Sequence, residues 1–314
     1  MNKKINISVI IPVYNEEKNV KILYERLKKV LSKLNKTYEI IFIDDGSIDK
    51  TYDELLKIND KHLKIVKFRK RFGQTAAMDA GFKTAKGSIT ISMDGDLQND
   101  PRDIPLLLNK LNHDYDVVCG WRFNRKDTFL KKIFSKSANL LRRKLIKEEI
   151  HDSGCSFRAY KKECFTNLDL YGEMHRYIPT LLLWKGFKVG EVKINHNKRT
   201  NGKTKYGLAR IFKGFLDLFM VLFWRQYSGR PIHIFGGFGL ILVIIGLIMT
   251  IPLLILRILG KISLSDRPLF LLGILIILMG IQFFVSGILA DISIKSYYKQ
   301  TNNGNYLIEK VITK

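Results

Sequence analysis

The sequence predicts a mostly parallel, doubly wound α/β sheet, followed by amphipathic helices and two membrane-spanning helices. Three observations indicate this fold class. Short apolar runs alternate with amphipathic ones through residues 7–120, two carboxylates follow one of those runs, and two long uncharged segments lie near the C-terminus. The length of 314 residues suits one large domain or two modest ones, and a hydrophobic fraction of 46% supports a real core.

Five short apolar runs in the first part of the chain are predicted to be β-strands. They are apolar on both faces, as is typical of a parallel sheet that helices cover on both sides. The runs are residues 7–11, 39–43, 63–68, 88–93 and 116–119.

The amphipathic segments between these runs are predicted to be helices. Residues 16–34 carry apolar side chains at helical spacing, with Asn15 as the expected N-cap and Glu16 in the first turn. Residues 49–59 and 74–86 fit the next two helices. This β-α-β alternation predicts an open, doubly wound sheet.

Two later segments combine apolar residues at helical spacing with many cations. Residues 128–147 and 206–224 are both basic and amphipathic, which is typical of helices that lie in the plane of a membrane interface. The alternative is that each helix packs on the sheet through its apolar face and is solvated on the other.

Two uncharged apolar segments, residues 232–256 and 269–290, are long enough to cross a bilayer as helices. A pair of buried core helices is the alternative, but core helices are rarely apolar on every face over such a length. We therefore expect three regions. These are a large domain at residues 1–230, a two-helix transmembrane hairpin at 231–294 and a tail at 295–314.

The orientation in the membrane is predicted from flanking charge. No export segment precedes the first strand, so the first domain and the tail are expected in the cytoplasm. The short loop between the spans carries Arg257, Lys261 and Arg267, which opposes this orientation. The larger positive charge before the first span, with Lys295 and Lys299 after the second, outweighs that loop.

The net charge of +24 is unevenly distributed. Residues 1–120 carry 21 Lys and Arg against 17 Asp and Glu, whereas residues 121–230 carry 25 against 9. Nucleic acid is the usual partner of so basic a chain. Because the basic half precedes the apolar segments, an anionic bilayer and a phosphorylated substrate explain the charge better, and we expect no nucleic-acid partner.

Pairs of carboxylates follow two of the predicted strands. Asp94 and Asp96 come directly after the run at 89–93, and Asp44 and Asp45 follow the second strand. An isolated D-x-D is more often a solvated loop, but ligands of doubly wound sheets bind beyond the carboxyl ends of the strands. We therefore expect one site that collects all four carboxylates and a hard divalent cation.

Three segments together resemble the family 2 glycosyltransferases of the Rossmann-like GT-A fold. They are SVIIPVYNEE at residues 8–17, DDGSID at 44–49 and DGDLQ at 94–98. The rest of the chain narrows the resemblance to polyprenyl-phosphate glycosyltransferases of the dolichol-phosphate mannosyltransferase type. The two C-terminal spans are similar to those of bactoprenol glucosyltransferases and undecaprenyl-phosphate aminoarabinose transferases. The resemblance covers about residues 5–300.

The resemblance implies a donor site for a nucleotide-sugar, with Mg²⁺ or Mn²⁺ bridging its diphosphate. The metal ligands would be Asp94, Asp96 and Gln98, of which Asp96 is also a catalytic candidate. The residues implied in nucleotide-sugar binding are Pro12, Tyr14, Glu16, Asp44, Asp45, Gln74, Asp94 and Gln98.

The resemblance also implies an acceptor side that binds a phosphate. Asp152 matches the candidate catalytic aspartate, and residues 199–206 match a lid in which Thr204 replaces the usual Ser. Arginine suits this role because its planar fork binds phosphate bidentately. The residues implied in acceptor binding are Arg122, Arg125, His175, Arg176, Arg199, Lys205 and Tyr206.

The implied function is inverting transfer of one sugar, from UDP-glucose or another UDP-sugar, to undecaprenyl phosphate at the cytoplasmic membrane face. Such a product supplies cell-envelope glycan modification, and the resemblance allows a homo-oligomer, namely a tetramer. A phosphate acceptor arrives mostly ionised, so Asp152 is expected to orient it or to stabilise the reacting centre. The alternatives are transfer to a hydroxyl with Asp152 as a true base, a non-catalytic membrane scaffold and a nucleic-acid-binding protein.

Overall fold

A computed structural model describes residues 5–112, 114–123, 150–152, 154–166, 168, 170, 172, 174–197, 231–263 and 267–301. The chain divides into two compact units, Met1–Leu218 and Phe219–Lys314. The two units are described separately below. The basic amphipathic helices predicted at 128–147 and 206–224 lie outside the described residues.

The first unit is built on a seven-stranded sheet with the order β3-β2-β1-β4-β6-β5-β7. Only β6 runs against the other strands, since it pairs antiparallel with both β4 and β5. The sheet is therefore mixed but mostly parallel, as predicted. Its strands are β1 Ile7–Val13, β2 Tyr38–Asp44, β3 Leu63–Lys67, β4 Ile89–Ser92, β5 Val117–Arg122, β6 Arg158–Lys161 and β7 Val189–Ile194.

All five predicted strands are present, and the structure adds β6 and β7. The fifth strand is longer than expected, because the chain from Val117 to Arg122 pairs in parallel with β7. Arg122 is consequently the last residue of a strand, opposite Ile194, and not part of the loop that follows. A strand fixes the direction of a side chain more tightly than a loop does.

The helices of the first unit are shorter than the sequence pattern predicts. The first begins at Val20, so Asn15 as its N-cap and Glu16 in its first turn are wrong. Asn15 instead has φ of 56°, and its side-chain oxygen accepts from the backbone N–H of Ile48. The helices are α1 Val20–Leu31, α2 Thr51–Leu56, α3 Gln74–Thr84, α4 Ile104–Asn112 and α5 Ile178–Trp184.

Apolar side chains fill both faces of the sheet. Along β1, Val9 and Ile11 pack in the cluster that also holds Leu23 of α1, whereas Ile10 packs on the other face with Met78 of α3. Successive side chains of a strand point to opposite faces, so this division follows from the strand itself. The two clusters confirm the predicted covering of the sheet on both sides.

The second unit contains two long apolar helices, α6 Ile232–Ile258 and α7 Pro268–Thr301. Their mean hydropathies over the apolar parts are 2.9 and 2.6, and only 17% and 11% of those parts are buried. Both helices are long and apolar enough to cross a membrane. Among the described residues they are therefore not buried core helices, which was the alternative.

Small residues let α6 and α7 approach closely. A Cβ atom added to Gly239 would lie 2.5 Å from the carbonyl oxygen of Gly280, and one added to Gly246 would lie 2.7 Å from that of Gly273. Close contact through glycine is typical of helices that associate inside a bilayer.

Candidate functional site

Three loops meet at the carboxyl edge of the sheet, after β1, β2 and β3. The N–H of Asn15 donates to the Ser47 hydroxyl at 2.9 Å, and the N–H of Glu16 donates to the Thr51 hydroxyl at 2.8 Å. Gly46 has φ of 67°, and a Cβ there would lie 2.4 Å from the backbone of Lys70. These contacts hold the first two predicted nucleotide-binding segments against each other and against the third loop.

The carboxylates that follow β2 bind backbone groups. Both oxygens of Asp45 accept from the loop after β3, at 2.7 Å from the N–H of Phe72 and 2.9 Å from the N–H of Gly73. Asp44 is fully buried, and one of its oxygens accepts from the N–H of Ser47 at 2.9 Å. Both residues thereby shape the loops of the donor side.

Three further residues of the predicted nucleotide site lie in β1 or in the loop that follows it. Pro12 is in β1, opposite Ile43 of β2. The Arg71 guanidinium lies over the ring of Tyr14, 4.4 Å from its centroid. The Glu16 carboxylate accepts from the side-chain amide of Asn19. Sequence order alone does not pair Tyr14 with Arg71, which lies two strands further along the chain.

The D-x-D motif follows β4 and is held from both sides. Asp94 accepts from the Gln74 side chain at 2.9 Å, and Asp96 accepts from the N–H of Gln98 at 3.1 Å. Between them, a Cβ on Gly95 would lie 2.6 Å from the side chain of Val13, so the middle position requires glycine. The motif therefore packs directly against the end of β1.

Two features of the D-x-D motif fit a divalent cation. Burial raises the pKa of the Asp94 carboxyl, and the negative charge of Asp96 raises it further. The fold therefore holds two carboxylates whose negative charges repel each other. A cation relieves such repulsion. Leu97, which follows them, has φ of 63°, a strained value for a residue with a side chain, and strain of this kind is concentrated at functional sites.

That one site collects all four carboxylates and a cation stays a prediction. The described residues contain no group of three His, Cys, Asp or Glu side chains that could hold a metal ion. The side-chain amide of Gln98 reaches the carbonyl of Asn197 at 3.5 Å. The two D-x-D carboxylates alone fit a cation that takes its other ligands from a bound diphosphate, which is how Mg²⁺ sites are commonly built.

Arg122 and Asp152 form a bidentate ion pair at the end of β5. Nε of Arg122 lies 2.6 Å from Oδ2 of Asp152, and Nη2 lies 2.8 Å from Oδ1. Burial opposes the charge of Arg122, but the Asp152 carboxylate raises the pKa of the guanidinium above its ordinary value. The pair lies at the carboxyl edge of the sheet, where β4 also ends before the D-x-D motif, with β6 between the two strands.

Glu191 of β7 binds the backbone of the segment that carries Asp152. Its carboxylate accepts from the N–H groups of His151 and Asp152, at 2.7 and 3.0 Å. The sequence analysis did not single out Glu191, because its role depends on β7 lying beside β5. No local motif signals that pairing.

His175 is buried in a short turn, Met174–Arg176, that contacts α3. Its Nδ1 lies 2.7 Å from the hydroxyl of Thr75, and its carbonyl accepts from Nη1 of Arg158 at 3.1 Å. Sequence reasoning missed Thr75 and Arg158. Arg158 stands between Phe157 and Ala159 in a run that also holds polar residues, so no local pattern marks it as buried.

Several predicted acceptor residues lie outside the described residues. Arg125 belongs to the segment 124–149, and the predicted lid belongs to the segment 198–230. The lid residues concerned are Arg199, Lys205 and Tyr206. Their roles stay predictions.

The family model described as Glycosyl transferase family 2 matches residues 8–168. A dodecaprenyl-phosphate galacturonate synthase of Rhizobium johnstonii is 36% identical over 98% of this chain and 94% of its own length. An undecaprenyl-phosphate 4-deoxy-4-formamido-L-arabinose transferase of Proteus mirabilis is 32% identical over 99% of this chain and 95% of its own length. The similarity extends through both apolar helices.

Among solved structures, the fold is similar to that of glucosyl-3-phosphoglycerate synthase from Mycobacterium tuberculosis. Its complex with Mn²⁺, UDP and phosphoglyceric acid gives a TM-score of 0.56 at 18% identity, over 70% of this chain and 78% of that one. Its complex with Mg²⁺ and UDP gives 0.55 at 16% identity, over 70% and 79%. The likeness confirms the predicted GT-A fold.

Proposed function

The chain belongs to glycosyl transferase family 2, and from that membership we propose that it transfers one sugar from a UDP-sugar to undecaprenyl phosphate. It is an enzyme, and its relatives along the whole chain are polyprenyl-phosphate sugar transferases and synthases. We also propose the donor nucleotide, the sugar, the stereochemistry and the membrane face of the reaction.

One observation supports the assignment most directly. The D-x-D carboxylates, which suit a donor diphosphate, follow β4, and Arg122, which suits an acceptor phosphate, ends β5 at the same edge of the sheet. Transfer from one phosphorylated substrate to another needs both kinds of group at neighbouring positions. A hydroxyl acceptor gives no reason for an arginine there.

For the donor, Asp94 and Asp96 would hold Mg²⁺ or Mn²⁺, and Gln74 would keep Asp94 in place through their 2.9 Å hydrogen bond. Such a cation, when bound, stabilises the charge that develops on a departing diphosphate. We propose that the base and ribose lie on the loops built by Pro12, Tyr14, Glu16, Asp44 and Asp45.

For the acceptor, we propose that Arg122 binds the phosphate of the lipid. Asp152 would then orient the Arg122 guanidinium through the two hydrogen bonds that the pair makes. Because the phosphate arrives ionised, no strong base is needed, and in-line attack on the anomeric carbon would invert its configuration. Arg125, His175, Arg176 and the lid residues stay proposed acceptor groups.

Three sugars are candidates for the group that is transferred. UDP-glucose is the donor expected from the sequence, whereas the two relatives described above are named for galacturonate and for 4-deoxy-4-formamido-L-arabinose. We propose that one of these three is the native donor. The product would be made at the cytoplasmic face of the membrane and would be used for cell-envelope glycan modification. On the basis of family resemblance, we propose that the enzyme is a homo-oligomer.

The test is sugar transfer into a lipid-soluble product. Full-length protein in detergent is incubated with undecaprenyl phosphate, Mn²⁺ and each of the three UDP-sugars in radiolabelled form, and the label is counted after organic extraction. We expect one donor to exceed the other two by about tenfold or more. If none of the three UDP-sugars labels the lipid, the proposed activity is wrong.

The matched control removes one charge from the D-x-D motif. Asp96→Asn keeps the size and shape of the side chain but weakens the hold on a divalent cation, so transfer should fall by about a hundredfold or more. Transfer at the wild-type rate by this variant would refute the metal assignment.

A further inference from the structure

A series of half-buried and buried polar contacts runs from the D-x-D motif to the turn at Met174–Arg176. Gln74, the first residue of α3, donates to Oδ1 of Asp94 at 2.9 Å. The next residue, Thr75, places its hydroxyl 2.7 Å from Nδ1 of His175. Two successive residues of one helix therefore contact the donor motif and the acceptor-side turn.

The series returns to β4 through Arg158. Nη1 of Arg158 donates to the carbonyl of His175 at 3.1 Å, and Arg158 lies opposite Ser92 in the antiparallel pair of β6 and β4. The Ser92 hydroxyl donates to the carbonyl of Ser156 at 2.5 Å, which holds the start of β6 against the end of β4. The contacts thus begin and end at the strand that carries D-x-D.

The three central side chains are shielded from solvent. Thr75 is 4% exposed, His175 is 8% exposed and Arg158 is 1% exposed. Buried polar groups lose free energy when they lose a partner, so each one restricts the position of the next. A displacement of the Met174–Arg176 turn must therefore be accommodated by the first turn of α3, and so by Gln74.

We infer that Thr75, His175 and Arg158 are positioning residues for the transfer reaction, because they hold Gln74, and through it Asp94, in the geometry that a nucleotide diphosphate and its metal require. This inference rests on the proposed function. It assigns to His175 an effect on donor binding, although the motif that contains it resembles an acceptor-binding one.

The inference is tested by measuring the dissociation constant of UDP in the presence of Mn²⁺, with the full-length protein in detergent. Thr75→Val keeps the shape of the side chain and removes its hydroxyl, and His175→Leu removes the ring nitrogen. We expect each variant to bind UDP about tenfold more weakly than the wild type. Thr75→Ser, which restores the hydroxyl, should bind within about twofold of the wild type.

The matched control lies in the same helix. The Thr84 hydroxyl donates to the carbonyl of Ala80 at 2.7 Å, near the other end of α3. Thr84→Val removes a hydroxyl of the same kind, and it should bind UDP as the wild type does. Thr75→Val and His175→Leu both break the same contact between these two side chains. The double variant should therefore bind UDP as tightly as whichever single variant binds it less tightly.

Three results would overturn the inference. They are wild-type UDP binding by Thr75→Val, an effect of His175→Leu confined to the KM for the lipid acceptor, and additive effects in the double variant. Amide hydrogen exchange without ligand gives a readout that does not need the proposed function. If the wild type binds no UDP, the proposed function is wrong. Even then, the amide hydrogens of residues 94–98 should exchange faster in Thr75→Val than in Thr84→Val. Equal exchange would overturn the inference by itself.

Discussion

At the level of single residues, the proposed acceptor chemistry depends on Arg122 and Asp152. Both oxygens of Asp152 are occupied by the Arg122 guanidinium, and the backbone of Asp152 is held by Glu191. A carboxylate in a bidentate ion pair is a counter-ion that fixes the direction of its partner. This arrangement favours a phosphate acceptor, which needs a directed cation more than it needs a base.

The pH dependence of the rate separates these two roles of Asp152. Asp152→Asn keeps one acceptor oxygen for Arg122, and we expect transfer to fall by about 10- to 100-fold. A phosphate monoester has its second pKa near ~6, so the rate should rise through that pH in both the wild type and the variant. The measurement is the pH–rate profile of both proteins with undecaprenyl phosphate.

The alternative for Asp152 makes the opposite prediction. If Asp152 were a general base, its substitution would remove the rise in rate on the acidic side. The control variant is Asp116→Asn, which loses an ion pair with Lys161 at the other end of β5. It should transfer within about twofold of the wild type, because this half-buried carboxylate lies at the opposite end of β5 from Arg122.

At the level of elements, the sequence predicts the strands β1 to β5 but not β6 and β7. The five strands with continuous apolar runs could be found because the pattern within each run is local. The strand β6 could not, since it has only four residues, begins with Arg158 and runs against its neighbours. For the same reason the sequence singles out Asp94, Asp96 and Asp152, whose roles stay proposals, but gives no sign of Thr75, Arg158 and Glu191, whose contacts join distant segments.

The contact between α6 and α7 gives a prediction at this level. Gly239→Ala should destabilise the helix pair by about 1–3 kcal/mol, because the new methyl group would meet the backbone of Gly280. Gly237 lies in the same helix with nothing within 4 Å of an added Cβ, so Gly237→Ala is the control. Amide hydrogen exchange over residues 231–263 and 267–296 in detergent should be faster in Gly239→Ala alone. Equal exchange in the two variants would show that the close approach does not stabilise the pair.

At the level of the whole molecule, the donor motifs and the membrane helices belong to separate parts of the chain. The donor motifs lie before residue 120, and the two apolar helices begin at Ile232. The apolar surface of those helices is unfavourable in water and favourable in a bilayer, where a polyprenyl chain also resides. We expect the helices to serve the lipid acceptor and not the nucleotide.

Ending the chain at residue 230 tests this division. The shortened protein should bind UDP with Mn²⁺ about as tightly as the full chain, but it should transfer at least about tenfold more slowly to undecaprenyl phosphate. A short, water-soluble prenyl phosphate is the control acceptor, and both proteins should use it at similar rates. Equal turnover of the long-chain acceptor by the two proteins would contradict the division.

The most direct test of the polyprenyl-phosphate assignment compares two acceptors that differ in one group. Full-length protein is given the preferred UDP-sugar with either undecaprenyl phosphate or undecaprenol, and the lipid products are analysed by mass spectrometry and ³¹P NMR. We predict one added sugar, joined through a phosphodiester with inverted configuration, from undecaprenyl phosphate alone. Equal transfer to undecaprenol, with a glycoside as the product, would contradict the proposed reaction and identify the chain as a hydroxyl-directed transferase.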